Sequence, residues 1–349
     1  MSQIVYIPRI LQCDGAADNT TFYKMGEGTG ISYFFAGLLS FLIVFLLIPP
    51  LRKLAYRIDF VDKPRPDVER KIHREPIPLT AGIAIFAGFV VTYFIFIRDN
   101  LGQSMAIMAG GLLILSIGMV DDWYKTHGKE LSALPKLVIQ VLAAVIVYNS
   151  GIVFHGFTNP FNGQEFLLPT WLQFLLTITW IFGVTTVINF SDGMDGLAGG
   201  LSTISAVTLF IVALAKGQSD SAMMAMLLVG AGLGYLRYNK PPAKVFMGDA
   251  GASFIGFMLA VIALNGAFKQ ATVLSLFIPI LALGVPIFDN LFVVFKRLLN
   301  GKPIYQADAS QAHYRLLASG LNPKQVVMFL CLINVCFSLT SIIILMLHV

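Results

Sequence analysis

The stretch TTVINFSDGMDGLAGG (residues 185–200) lies between two apolar runs, TWLQFLLTITWIFGV (170–184) and LSTISAVTLFIVALA (201–215). About 20 predominantly apolar residues are enough for a helix to cross the hydrocarbon core of a bilayer. The two runs therefore predict two membrane helices joined by a short polar turn. Three polar side chains recur in that turn at steps of three, with glycines around them: Asn189, Asp192 and Asp195.

The rest of the chain has the same character. Of the 349 residues, 56% are hydrophobic and only 12% are charged, whereas soluble domains carry about 25% charged residues. We therefore predict an all-α polytopic membrane protein with about ten transmembrane helices. The candidate spans are residues 31–50, 78–97, 104–120, 134–150, 170–190, 197–215, 221–236, 250–266, 271–290 and 325–347. Pro279 and Pro286 are expected to bend or break the ninth span.

The domain organisation follows from the same pattern. Residues 1–30 are predicted to form a polar segment outside the membrane, ahead of a single membrane domain that covers residues 31–349. We expect no cleavable signal peptide, because the first apolar run begins near Ile31. The three cysteines form no C-x-x-C pair, so neither a zinc site nor a disulfide framework is expected.

The distribution of positive charge predicts the orientation of the chain. Most of the 24 lysines and arginines fall in four of the loops between the predicted spans. The positive-inside rule puts these loops in the cytoplasm, which leaves both termini and the segment 151–169 outside. The net charge of +5 is explained by these loops, and nucleic acid is not expected as a partner. In the outer segment, Asn162-Gly163 is compatible with a β-hairpin or with an irregular loop.

Acidic residues collect on the predicted cytoplasmic side. Asp121 and Asp122 end the third span, Asp249 begins the eighth, and Asp289 lies near the inner end of the ninth. Acids from distant parts of the chain at one depth indicate a shared polar site, and carboxylates are the ligands that Mg²⁺ prefers. If residues 189–195 are helical, the three polar residues of the opening motif share one face. Asp192 or Asp249 could instead cap the helix that follows it.

Two cytoplasmic loops add further candidates. The basic loop 51–76 contains His73; it could cradle phosphates, or it could serve only topology and attraction to anionic lipid. The last cytoplasmic loop adds four candidate side chains: Asp308, Ser310, His313 and Arg315. The first two of these could simply cap a helix.

Six spaced motifs carry a resemblance that covers roughly residues 45–325. They are RKIHREPIPLTAG, DDWYK, LPKLVIQ, NFSDGMDGLAGG, VFMGDAG, and VPIFDNLFVVFKRLLNGKPI followed by DASQAHYRLL. In this order they resemble the polyprenyl-phosphate N-acetylhexosamine-1-phosphate transferases, which start teichoic acid, common-antigen and O-antigen synthesis. Phospho-MurNAc-pentapeptide translocase is a more distant relative of that family.

The resemblance implies a multi-pass enzyme of the cytoplasmic (inner) membrane whose active site faces the cytoplasm. It implies transfer of a sugar phosphate from a UDP-sugar, with UDP-GlcNAc first, to undecaprenyl phosphate with release of UMP. It also implies dependence on Mg²⁺, with Mn²⁺ as a substitute, and it is compatible with a homodimer. Attack of one phosphate on another fits these residues independently, because a metal ion, lysine and arginine can screen the anions that meet.

The resemblance also assigns roles by position. Asp121 is the candidate base for the lipid phosphate, or the group that orients it, and Asp249 is the Mg²⁺ ligand. Asp122 supports the metal site or the lipid phosphate. The remaining candidates bind substrate: His73, Lys136, Asn189, Asp192, Asp195, Arg297, His313 and Arg315. One departure concerns the histidine-rich H-x-H-H of the family, which reads Gln311-Ala312-His313-Tyr314 here and leaves the donor sugar open.

Three other functions compete with this interpretation. A transporter would place ionisable groups near the bilayer midplane, often in inverted repeats, whereas these acids lie at loop level and no repeat is evident. A CDP-alcohol phosphatidyltransferase would continue from Asp-Gly into Ala-Arg, where this chain reads DGMDGLAGG. An inactive family member with a binding role is the third, and the missing histidines keep it open.

Overall fold

The computed structural model describes residues 30–64, 75–98, 100–129, 131–158, 164–268, 276–301 and 310–347. Within these ranges the chain is mostly helical. The helices are α1 (Gly30–Arg57), α2 (Ala81–Phe96), α3 (Leu101–Thr126), α4 (Ala133–Asn149), α5 (Thr170–Phe190), α6 (Leu197–Ala215), α7 (Ser219–Asn239), α8 (Gly248–Ile262), α9 (Phe277–Ala282), α10 (Gly284–Leu299), α11 (Ala312–Ala318) and α12 (Pro323–Met346). A π-helical turn, Ala263–Ala267, extends α8.

The prediction of a polytopic helical membrane protein is confirmed. Seven of the described helices are long and apolar enough to cross a bilayer: α1, α3, α5, α6, α7, α8 with its π-helical extension, and α12. Helices α2 and α4 are apolar but shorter.

Helix α8 forms the centre of the bundle and positions the start of the site. Every residue of α8 is buried apart from Asp249 in its first turn. It packs against α2, α3 and α5, and small residues allow the close approach. Gly118 of α3 lies directly against the backbone of Ala250, and Gly82 of α2 lies against Gly251. Small residues serve the same purpose at many helix contacts in membranes. Asp249 thereby lies at the N-terminal end of the most buried of the seven candidate membrane helices.

The predicted ninth span is interrupted, as its prolines led us to expect. Helix α9 ends at Ala282 and α10 begins at Gly284. Side chains satisfy the backbone at the break, which is necessary because no water is present in the bilayer core. Asn334 of α12 accepts the Val285 N–H through Oδ1 (3.1 Å), and the Ser205 hydroxyl donates to the Ala282 carbonyl (2.6 Å). Helix α10 also continues to Leu299, well past the predicted end at residue 290.

Two short antiparallel strand pairs lie in the connections. Strands β3 (Gly156–Thr158) and β4 (Glu165–Leu167) pair with Phe157 opposite Phe166, which confirms the hairpin alternative for residues 151–169. The Asn162-Gly163 turn itself lies outside the described residues.

The second pair, β1 (Val61–Asp62) with β2 (Ile77–Pro78), was not predicted. Its strands are two residues long and therefore too short for an alternating pattern to appear in the sequence. The Pro78 carbonyl accepts the Phe246 N–H (2.8 Å), and the Phe246 carbonyl accepts the Ala81 N–H (3.1 Å). The pair thus joins the described ends of the basic loop to the segment that precedes Asp249.

Candidate active site

Two carboxylates and two lysines form the centre of the candidate site. Asp121 of α3 is fully buried, and Asp249 of α8 is mostly buried. The Lys125 ammonium lies 3.0 Å from Asp121 Oδ2 and 2.7 Å from Asp249 Oδ1. The Lys136 ammonium, from α4, lies 2.7 Å from Asp121 Oδ2 and 3.6 Å from Asp249 Oδ2. Three helices therefore bring together two acids and two cations, which is a suitable environment for an anionic substrate with its counterions.

Lys125 was missed as a site residue in the sequence. A signal for it exists, because DDWYK puts Lys125 four residues after Asp121 and thus one turn along the same helix face. Lys136, Asp121 and Asp249 were all predicted, and the structure brings all three together.

Asp122 has a different role from its neighbour. Its carboxylate accepts the backbone N–H groups of Asp249 (2.9 Å) and Ala250 (3.1 Å). It therefore caps helix α8 from helix α3, and a carboxylate is favourable at a helix N-terminus. Gly248 has φ +66° and leaves no room for a Cβ beside the Asp122 carboxylate. Asp122 supports the site by fixing the helix that carries Asp249.

The DGMDG motif is a turn rather than a helix. Helix α5 ends at Phe190, so the condition for a shared helix face, that residues 189–195 are helical, is not met: Asn189 is on the last helical turn, whereas Asp192 and Asp195 follow it. Neither Asp192 nor Asp249 occupies an N-cap, because the caps of α6 and α8 are Gly196 and Met247.

Hydrogen bonds fix this turn to the segment before α8. The Gly196 N–H donates to Asn239 Oδ1 (2.7 Å), and Asn239 Nδ2 donates to the Val245 carbonyl (3.0 Å). Asp195 Oδ2 accepts the Ala243 N–H (2.8 Å). Asn239 was missed in the sequence, because a lone asparagine at the end of a helix followed by prolines has no periodic signal. It links the DGMDG turn to the segment that leads to Asp249.

The two remaining polar groups of the motif face the same region. Burial raises the pKa of Asp192 to about 7, and the nearby charges of Asp249 and Asp195 add to this, while Lys125 opposes it. The Asn189 side-chain Nδ2 is buried and has no hydrogen-bond partner within the described ranges. Asp192 therefore offers a readily protonated carboxyl near Asp249 and Lys125, and the end of α5 offers the amide of Asn189.

His313 of α11 lies against the DGMDG turn. Its side chain is only 1% exposed, and a Cβ on Gly193 would overlap its imidazole ring. Burial lowers the pKa of His313 to about 4, so the ring is neutral at pH 7. Its Nε2 is buried without a hydrogen-bond partner among the residues that the structure describes. The structure thus brings the remaining histidine of the family motif to the edge of the site.

The other predicted cationic residues of the site are Arg315, Arg297 and His73. Arg315 is 42% exposed, and its guanidinium lies 3.1 Å from Asp289 Oδ1 and 4.2 Å from the centre of the Phe292 ring. Arg297 is buried on α10. His73 and Asp308 lie outside the described residues. Contacts of Arg297, Arg315 and His73 with substrate remain predictions.

The central acids fit a divalent cation. Among the described residues no three His, Cys, Asp or Glu side chains form a metal cluster. Mg²⁺, however, is commonly bound through one or two carboxylates together with waters and substrate phosphates. The Asp121 and Asp249 carboxylates lie side by side and contact the same two lysines. These two carboxylates are the groups that would hold the ion.

Known proteins are similar to this chain over most of its length. A probable undecaprenyl-phosphate N-acetylglucosaminyl 1-phosphate transferase of Bacillus subtilis is 37% identical over 308 residues, which are 88% of this chain and 84% of the relative. The profile of glycosyl transferase family 4 matches residues 104–267. The chain belongs to glycosyl transferase family 4. A decaprenyl-phosphate N-acetylglucosaminephosphotransferase of Mycobacterium tuberculosis is 31% identical over 326 residues, which are 85% of this chain and 78% of that protein.

A relative in Escherichia coli K12, undecaprenyl-phosphate alpha-N-acetylglucosaminyl 1-phosphate transferase, is 26% identical over 84% of this chain and 78% of its own. The family match covers α3 to α8. It thus includes the carboxylate–lysine centre and the DGMDG turn, whereas α10 and α11 lie beyond it. The resemblance inferred from the six motifs is confirmed.

Proposed function

We propose that this protein transfers N-acetylglucosamine 1-phosphate from UDP-GlcNAc to a polyprenyl phosphate and releases UMP. The observation that carries the proposal is the cluster of Asp121, Asp249, Lys125 and Lys136, held at 2.7–3.6 Å between three helices. Relatives that match most of the chain are named for this reaction with undecaprenyl or decaprenyl phosphate as acceptor.

The reaction joins two anions. An oxygen of the lipid phosphate attacks the sugar-linked phosphorus of the donor, and the bond from that phosphorus to the UMP oxygen breaks. The two lysines lower the repulsion between the phosphates. A bound Mg²⁺ would supply further neutralisation of the diphosphate and of the leaving UMP. Catalysis is then mostly positioning and charge stabilisation, for which buried lysines and acids on rigid helices are well suited.

Asp121 has two conceivable roles towards the acceptor. A phosphate monoester loses its second proton with a pKa of about 6, so most of the lipid phosphate is already ionised at neutral pH. The contact of Asp121 with both lysines supports orientation of the cations around the lipid phosphate. We therefore propose orientation as its main role and proton removal as a minor one.

Helix α10 offers a surface for the lipid chain. Its Phe288, Leu291 and Phe295 side chains are exposed, while Asp289 on another face contacts α11. Helix α10 also contacts α5, the helix that leads into the DGMDG turn. An apolar face beside a polar, cationic site suits a substrate with a phosphate head and a long apolar tail.

The membrane arrangement belongs to the same proposal. We infer about ten spans, both termini outside, and an active site that faces the cytoplasm of the inner membrane. The excess of lysine and arginine in four loops supports this orientation. The centre itself lies at the ends of α3 and α8 adjacent to two of those loops.

The donor is inferred from α11. Gln311 and Tyr314 stand where two histidines are usual, and neither an amide nor a phenol holds a diphosphate as a cation would. Gln311 Nε2 donates to the Phe190 carbonyl (3.1 Å), which supports a role in joining α11 to α5. A donor with a hydrogen-bonding acetamido sugar fits better than a larger charged one.

Purified protein, undecaprenyl phosphate, Mg²⁺ and a panel of UDP-sugars test the proposal, with UMP as the measured product. We expect preferential turnover of UDP-GlcNAc and poor turnover of UDP-MurNAc-pentapeptide. The matched control is Asp121→Asn, which should bind the donor but release little UMP. Turnover of another UDP-sugar alone would show that the donor is that sugar and not UDP-GlcNAc. Uptake of substrate into vesicles without UMP release would favour a transporter.

A further inference from the structure

We propose that Asp289 is a positioning residue that holds His313 in the active site by fixing helix α11 to helix α10. This inference deepens the proposed function and rests on it for the kinetic part of its test. Asp289 has no proposed role towards substrate or metal, and its contacts within the described residues are with Ala312 and Arg315 of α11.

Three contacts converge on the Asp289 carboxylate. Its two oxygens accept the Ala312 N–H at 2.8 and 3.0 Å, and Oδ1 lies 3.1 Å from Nη2 of Arg315. The Asp289 side chain is only 18% exposed, and hydrogen bonds that involve a charged group are stronger than neutral ones. The Arg315 guanidinium is itself held over the Phe292 ring at 4.2 Å. Asp289 and Phe292 therefore attach α11 to α10, in addition to its packing on α12 and the bond from Gln311 to the end of α5.

Helix α11 needs support from neighbouring elements, and Asp289 supplies it at the N-terminal end of the helix. It has seven residues, and isolated helices of that length are unstable in water. Its N-cap residue, Gln311, makes no side-chain hydrogen bond to the helix. The carboxylate of Asp289 supplies from α10 the acceptor that a cap would normally provide.

The position of His313 follows from that of α11. His313 directly follows the capped residue Ala312 and precedes Arg315 by two residues, so it lies between the two points of attachment. Its imidazole is 1% exposed and packs on Gly193, with Nε2 unpartnered among the described residues. Loss of the Asp289 carboxylate should therefore release His313 from the DGMDG turn without removing any group that contacts substrate.

Chemical labelling of histidine tests this independently of activity. Diethyl pyrocarbonate is applied at pH 7 to the purified full-length protein, and modification of each histidine is followed by mass spectrometry. His313 should be protected in the wild type and should react about tenfold faster or more in Asp289→Ala, because loss of charge-assisted hydrogen bonds shifts a local opening equilibrium by such a factor. His127 and His155 are exposed and should react equally in both proteins.

Two further variants sharpen the labelling experiment. Asp289→Asn keeps one acceptor for the Ala312 N–H but loses the ion pair, so its His313 should react at an intermediate rate. It is isosteric and provides the measurement if the alanine variant fails to fold. Asp59→Asn removes an exposed carboxylate that pairs with Lys63, and it should leave the reactivity of His313 unchanged.

A double-mutant cycle separates positioning from general stability. If Asp289 acts through His313, the single variant Asp289→Ala should have a lower kcat than the wild type. The double variant with His313→Ala should lose little further kcat relative to His313→Ala alone. Equal protection of His313 in wild type, Asp289→Asn and Asp289→Ala, or fully additive losses of kcat, would overturn the proposal. A wild type that releases no UMP, with His313 still uncovered by Asp289→Ala, would contradict the proposed function and leave the positioning role standing.

Discussion

Asp249 and Asp121 are the residues on which the proposed chemistry depends most directly. Asp249→Asn keeps the size of the side chain but removes a charge that faces Lys125 at 2.7 Å. We expect the rate of UMP release to fall on the order of 100-fold or more, as for other groups that stabilise charge in a transition state. Reversible inhibition of the wild type by EDTA should accompany this. Full activity in both experiments would remove Asp249 from the metal role.

Gly193 is needed because of its neighbour rather than its own conformation. A Cβ at this position would overlap the His313 imidazole, so Gly193→Ala should displace the ring or the turn. We predict a fall in kcat with faster diethyl pyrocarbonate modification of His313. Gly217→Ala is unsuitable as a control because Gly217 has φ +65°, whereas Gly183→Ala adds a methyl group where nothing lies within 4 Å. Normal kcat in Gly193→Ala would contradict the close packing.

The ionisation of His313 predicts a pH dependence of stability. Its pKa is lowered to about 4 in the folded protein by burial, against about 6.5 in an unfolded chain. Its contribution to stability should be fully present above about pH 6.5 and should decline as the pH falls towards 4, because only the unfolded chain takes up the proton. The melting temperature of the wild type relative to His313→Asn should therefore fall across this range. A constant difference would mean that His313 is not buried.

Sequence reasoning at the residue scale found the groups that belong to continuous motifs. Asp121, Lys136, Asp249 and His313 were identified and lie at the site. Lys125 was missed although DDWYK places it one turn after Asp121 on the same helix. Asn239 was missed because its partners, Gly196 and Val245, lie in the DGMDG turn and in the segment before α8, and the local pattern around a lone asparagine does not show them.

At the scale of helices, the break between α9 and α10 determines where α10 begins and therefore the position of its polar residues, such as Asp289. Asn334→Leu would leave the Val285 N–H without its acceptor, and an unsatisfied buried group costs about 1–3 kcal/mol. We predict a lower melting temperature and slower UMP release. Cys336→Leu, on an exposed part of the same helix, should have neither effect. An unchanged melting temperature for Asn334→Leu would show that this hydrogen bond does not stabilise the break.

The same helices show what apolar runs do and do not predict. The spans from α3 to α8 were found close to their observed bounds, because long apolar runs and short polar turns define them. Helix α10 was expected to end at residue 290, since the search was for uniform apolar character. Its exposed apolar residues instead recur on one side of an amphipathic helix whose other residues include Lys296 and Arg297: Phe288, Leu291, Phe292, Phe295, Leu298 and Leu299.

At the scale of the whole molecule, the central question is which side of the membrane the site faces. In a variant that lacks the three native cysteines, Lys129→Cys should react with an impermeant thiol reagent only after permeabilisation. His155→Cys, on the exposed segment before β3, should react in intact cells. The lysine and arginine distribution is the reason for this expectation. Labelling of Lys129→Cys in intact cells would reverse the topology.

The class, the family and the order of the motifs were predictable from the sequence because each is a local or linear property. For the two central carboxylates, the sequence predicted only that they lie at a similar depth on one side of the membrane. It did not predict that three helices meet around them. The attachment of α11 to α10 through Asp289, and of the DGMDG turn through Asn239, required the three-dimensional arrangement, because residues more than 20 positions apart make those contacts.

Transfer of the sugar-linked phosphate is the step that defines the proposed reaction. UDP-GlcNAc labelled with ³²P at the phosphate next to the sugar, incubated with the purified protein, undecaprenyl phosphate and Mg²⁺, tests it directly. The account predicts that the label enters the organic phase while an equal amount of unlabelled UMP is released, and that Asp249→Asn abolishes both. Label that remains in the aqueous phase as UDP, while the sugar alone reaches the lipid, would contradict it.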